Sequence, residues 1–119
     1  MPLRTRTLRL GLYADAEGLE WTVGLVEDAV RARTARLVDT TVAHTLPGGQ
    51  VTTAEMYDVL ADQWAWEHPG QDPGTREPVE LRVRLVCSLR TWRAIRTTVL
   101  RTMCPPATEP HACRVPWFA

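Results

Sequence analysis

The stretch PVELRVRLVCSLRTWRAIRTTVLRTM, residues 78–103, decides the fold. From Val79 onward Val79, Leu81, Val83, Leu85 and Cys87 fall on one side, and Glu80, Arg82, Arg84 and Val86 on the other, the period-two signature of a half-buried strand. Ser88 then stands where a helix N-cap belongs. Beyond it Leu89, Trp92, Ile95, Val99, Leu100 and Met103 recur at helical spacing, with Arg90, Arg93, Thr97 and Arg101 opposite. A helix with such an apolar stripe has to be docked, and the strand just before it supplies the expected sheet. Arg96 breaks the stripe, projecting among Leu89, Trp92 and Met103, where an unpaired guanidinium is costly. Either its stem packs while its head reaches water or a carboxylate of the acidic helix described below, or it is half of an anion site. The first reading is favoured, because the sequence supplies no second half.

Upstream, Thr7 to Tyr13 alternates Leu8, Leu10 and Leu12 against Thr7, Arg9, Gly11 and Tyr13, a second strand. Residues 14–18 form a turn-like break. Leu19 to Val26 fits both periods, since Leu19, Trp21, Val23 and Leu25 alternate while Leu19, Val23, Val26 and Val30 are helically spaced. A hairpin strand is preferred, because Gly18 suits a tight turn, Gly24 weakens a helix by about 1 kcal/mol, and Trp, Thr and Val favour strands. Residues 27–36 read as a helix with Glu27 and Asp28 in its first turn and Arg31, Arg33 and Arg36 toward its end. Residues 37–46 turn β-like, with a continuous helix to about His44 as the alternative, and Pro47-Gly48-Gly49 ends either one.

Thr52-Thr53-Ala54-Glu55 is a capping box that opens another helix. Its apolar side holds Met56, Tyr57, Leu60, Ala61 and Trp64, with His68 at the same angle, and Glu55, Asp58 and Asp62 make an acidic stripe flanked by Val59 and Trp66. Pro69-Gly70 stops it, and a surface loop runs to Pro78. At the far end Cys104-Pro105-Pro106 terminates the last helix, and the tail Val115 to Ala119 is apolar and aromatic. A terminus ending in Trp117 and Phe118 is expected to tuck into a groove of its own domain or to dock on a neighbour.

The sequence has 119 residues, the size of one domain with a real core, and 14 basic against 14 acidic side chains, so bulk charge gives no push toward nucleic acid or an anionic membrane. All 14 basic residues are Arg, and Lys and Asn are absent, a bias most simply read as GC-rich coding. The first residues carry no signal-peptide pattern and no segment is long and apolar enough to span a bilayer, which makes a cytoplasmic location with reduced thiols the expectation.

Several constellations invite chemistry. Cys104, His111 and Cys113 lie within ten residues, yet their spacing matches none of the usual zinc knuckles, so separate thiols are expected and no metal is assigned. A Cys104 to Cys113 disulfide is sterically conceivable in an oxidising compartment. There is no nucleophile elbow, zinc-protease helix, phosphate-cradling loop or dinucleotide fingerprint, so neither enzyme activity nor a cofactor is expected. Carboxylates at 55, 58 and 62 share one helix face, which is also what any solvated face looks like. Arg82 and Arg84 on the strand, with Arg90, Arg93, Arg96 and Arg101 on the helix, form an array suited to phosphates or carboxylates.

The expected fold is a single α+β domain spanning residues 1–119. Its sheet is antiparallel or mixed, with four or five strands near residues 7–13, 19–26, 37–46 and 79–87 and a candidate at 113–118. Two or three helices pack on one face, and the other face, carrying Arg9, Arg82 and Arg84, is left exposed or covered by a partner. The expected function is a non-catalytic protein-binding accessory that self-associates. Its binding residues are Arg82, Arg84, Arg90, Arg93, Arg96, Arg101, Trp117 and Phe118. The alternative is a small nucleic-acid-binding regulator using the Arg array.

Overall fold

Leu8, Leu10 and Leu12 face Val83, Leu81 and Val79 across a long antiparallel ladder, and this pairing is the spine of the molecule. The computed structural model describes residues 2–104 and 114–119. Its strands are β1 (Arg4–Ala14), β2 (Arg36–Ala43), β3 (Glu77–Cys87) and β4 (Trp117–Phe118), and its helices α1 (Ala16–Arg31), α2 (Thr53–Met56), α3 (Asp58–Glu67) and α4 (Leu89–Met103). The sheet order is β2-β3-β1-β4, antiparallel throughout. Apart from the α2–α3 segment, a βαββαβ chain in this order has the ferredoxin-like arrangement, one that by itself implies no function. One sheet with mixed helices makes a single α+β domain, as the sequence leads one to expect.

The apolar face of the sheet is covered by α1 and α4. Leu8, Leu10, Leu12, Val79, Leu81, Val83, Leu85 and Cys87 pack there against Val26, Ala29 and Val30 of α1 and Ile95, Val99 and Met103 of α4. Each fully buried aliphatic side chain contributes about 1.5–3 kcal/mol, so this layer dominates stability. Cys87 is a free thiol within it, and burial pushes its pKa up. Ser88 caps α4 as expected, its Oγ accepting from the Thr91 N–H at 3.2 Å.

Residues 19–26 are helical, not a hairpin strand. The Asp15 carboxylate accepts from the Gly18 N–H at 2.8 Å and caps the helix, and Gly18, Thr22, Val26, Ala29 and Val30 form its buried stripe. Thr22 is polar, but its hydroxyl donates to the Gly18 carbonyl at 3.0 Å, which lets it hide inside. Leu19, Trp21, Val23 and Leu25 mimic a strand because α1 touches both the sheet and α4, so apolar residues flank its buried stripe. The segment read as a separate helix at 27–36 is the end of α1, whose C-cap is Ala32.

The other face is partly covered by the chain itself. The capping box forms, with Thr52 Oγ1 accepting from the Glu55 N–H at 3.2 Å, but the helix breaks at Tyr57 into α2 and α3. At the break Tyr57 turns inward and lies flat against Gly11, where any added Cβ would come within 2.5 Å of its ring. Tyr57, Leu60 and Trp64 then join Tyr13 in a second apolar cluster. Arg76 lies 4.7 Å from the Trp64 ring centroid, and the His68 ring stacks on Trp64 at 4.5 Å. The acidic helix therefore lies across the sheet from α4. Among the described residues it forms no ion pair with Arg90, Arg93, Arg96 or Arg101, so the carboxylate partner offered for Arg96 is not found there.

Candidate interaction surfaces

The most concentrated charge on the sheet surrounds Glu80, whose side chain has 0% exposure. Oε1 accepts from Arg9 Nε at 3.1 Å and Arg82 Nε at 2.6 Å, and Oε2 accepts from the other end of Arg9 at 3.1 Å and the Tyr57 hydroxyl at 2.7 Å. Burial pushes the Glu80 carboxyl up, but the bonds from Arg9, Arg82 and Tyr57 outweigh it and hold the pKa below its ordinary value. Burial, with Glu80 beside it, pushes the Tyr57 phenol up to about 12. Both carboxylate oxygens are saturated, so this cluster fastens the α2–α3 segment to the sheet and offers no free base. The sequence hid the hub, because Glu80 reads as a solvated strand residue until β1 is known to bring Arg9 alongside.

Arg82 is thus engaged, donating also to the Thr45 carbonyl, and Arg84 is paired with Asp39. Together with Thr7, Arg9, Thr41 and Pro47 these residues line an open depression of about 410 Å³ on the uncovered half of the polar face. Its walls carry no aromatic ring, unlike sheets of this topology that stack bases.

Arg90 and Arg93 lie elsewhere, at the start of α4, where with Pro2, Arg6 and Leu89 they line a groove of about 510 Å³. Arg6 donates to the Cys87 carbonyl at 3.2 Å, and among the described residues Arg90 and Arg93 meet no carboxylate. Arg101 is exposed near the other end of α4, and Arg96 is half-buried with no ion pair among the described residues. The array read from the sequence is therefore divided over two faces. Arg6 joins the groove without any sequence signal, because only the sheet register places Arg4–Leu8 beside the start of α4.

Trp117 and Phe118 are drawn into their own domain. They pair with Leu12 and Gly11 as β4, and the Tyr13 N–H donates to the Pro116 carbonyl at 3.1 Å. Trp117 packs on the core, and the Phe118 ring lies 6.0 Å from that of Tyr57.

Among the described residues two further surfaces expose several apolar side chains together. β2 is an edge strand of eight residues with exposed Leu37, Val38 and Val42, interrupted by a bulge between Leu37 and Asp39. On α2 and α3, Met56, Val59 and Trp66 point outward at 48%, 55% and 89% exposure. Val59 and Trp66, seven residues apart on α3, share one patch with Asp62, Gln63 and Glu67, whereas Met56 stands on α2 beyond the break at Tyr57.

Cys104 is disulfide-bonded, which corrects the expectation of reduced thiols there, while His111 and Cys113 of the proposed cluster lie outside the described residues. Among the described residues no three His, Cys, Asp or Glu side chains gather into a metal-holding group, and no helix is long and apolar enough to cross a membrane. No family model, curated protein or solved structure matches this chain.

Proposed function

We propose that this chain is a non-catalytic protein-binding domain that associates with copies of itself. The observation that carries the reading is Trp66, a Trp left 89% exposed on a regular helix, aligned with Val59 and flanked by the carboxylates of Asp62 and Glu67. Tryptophans of this kind anchor protein interfaces, and an aligned apolar stripe with a charged rim is the usual anatomy of a docking helix. Zero net charge removes the long-range repulsion that would oppose association of like chains. The saturated Glu80 cluster supports the non-catalytic part. A cytoplasmic location rests on the sequence alone, and the disulfide at Cys104 weighs against it.

Light scattering on a concentration series tests the reading. The native chain gains mass with concentration, and Trp66→Ala, at a site too exposed to affect folding, stays monomeric. A native chain that is monomeric throughout the series ends the self-association reading.

A further inference from the structure

We infer that the Trp66 stripe of one copy docks into the groove of Pro2, Arg6, Leu89, Arg90 and Arg93 on a second copy, so that the chain assembles head to tail. This rests on the self-association reading above and names its geometry. The stripe offers an indole, the Val59 side chain beside it and the carboxylates of Asp62 and Glu67 at its edge. The groove offers what such a surface lacks: an apolar floor of Pro2 and Leu89, and three guanidiniums, of which Arg90 and Arg93 meet no carboxylate among the described residues. A Trp face between guanidiniums gains cation–π attraction, and the acidic rim supplies bidentate partners for Arg.

The two surfaces cannot meet within one chain. Trp64 packs on Tyr13, which pairs with Pro78 at one end of the central ladder, whereas Arg6 and Leu89 flank Cys87 at the other. Strands of eleven residues separate the ends by about 33 Å. The stripe also lies on the opposite side of the sheet from α4. Docking is therefore intermolecular, and because the two surfaces lie at opposite ends and faces of the chain, one contact per pair leaves a free half at each end and generates a ring or an open chain of subunits. The opposed charges make it weaken with salt.

Complementation tests this arrangement. Trp66→Ala keeps the groove and loses the knob, and the double variant Arg90→Glu, Arg93→Glu keeps the knob and loses the groove. Each alone is monomeric by sedimentation at concentrations where the native chain forms larger species, the Trp variant binding about thirtyfold or more weakly. Mixed, they form a heterodimer and nothing larger, because each contributes one intact half. If the mixture stays monomeric while the native chain still associates, the head-to-tail geometry is overturned and self-association stands. If the Arg double variant associates as the native chain does, the groove is not the socket. A salt-sensitive complex of the native chain with a 20-nucleotide single strand, lost in the Arg double variant and unaffected by Trp66→Ala, assigns the groove to nucleic acid and overturns the proposal.

Discussion

Leu10 and Leu81 sit opposite each other on β1 and β3 with no exposed surface; one residue further along the same strands Gly11 and Glu80 sit opposite each other, equally buried, beneath Tyr57. The first pair is held by contact area, which depends on volume and hardly on direction. The second is held by aimed groups: a carboxylate saturated by two guanidiniums and a phenol, over a site where only hydrogen fits. One sheet thus joins a face that tolerates apolar exchange to a face that tolerates almost none.

Leu81→Ala carries the largest expected cost, about 2–5 kcal/mol in urea unfolding, from lost burial plus the cavity left behind. A loss below about 1 kcal/mol would mean the apolar face is not the main source of stability. Gly11→Ala comes next, at about 1–3 kcal/mol, because the new methyl drives Tyr57 off the sheet. The same change made in a Tyr57→Ala background is nearly free, and equal costs in the two backgrounds would show that the ring is not what excludes a side chain at position 11.

Tyr57→Phe is the mildest, at about 1 kcal/mol near neutral pH, since it removes one bond to Glu80 and keeps the ring. Its signature is in the pH dependence. The Tyr57 phenol is raised from 10.0 to about 12 in the folded state, so its contribution is complete below pH 10 and is lost as pH climbs toward 12. The lowered Glu80 carboxyl contributes above its unfolded pKa near 4.5, and that contribution fades as pH falls through the folded value. Tyr57→Phe flattens the alkaline limb and shallows the acid one; an unchanged alkaline limb would remove Tyr57 as its cause.

The apolar face was legible because β3 and α4 state their periods without ambiguity and Ser88 marks the join. The start and middle of α1 hold the lesson of the misread segment: Asp15 is a clear N-cap, but Leu19, Trp21, Val23 and Leu25 supply a competing alternation, and Gly24, with no atom within 4 Å of an added Cβ, costs the helix nothing in packing. Of the polar face the sequence showed that Arg9, Arg82 and Arg84 share it but not their hub, because Glu80, Arg9 and Tyr57 lie on three separate segments whose register no local pattern encodes. Of the candidate surfaces, Val59, Asp62, Trp66 and Glu67 stand on one helix and could be read from spacing, whereas the groove needs Pro2 and Arg6 brought to Arg90 and Arg93 by the whole fold.

The connection from β2 to β3 leaves and returns at a single point, since His44 Nε2 and Glu77 Oε1, which bracket it, are 3.0 Å apart. A variant that replaced this stretch with a short turn would keep its sheet order and its apolar layer and be released from glycine at position 11, while Glu80 would keep Arg9 and Arg82 as partners. Positions 11 and 57 are therefore constrained together, and the α2–α3 segment, with its outward-facing tryptophan, is separable from the sheet as one piece.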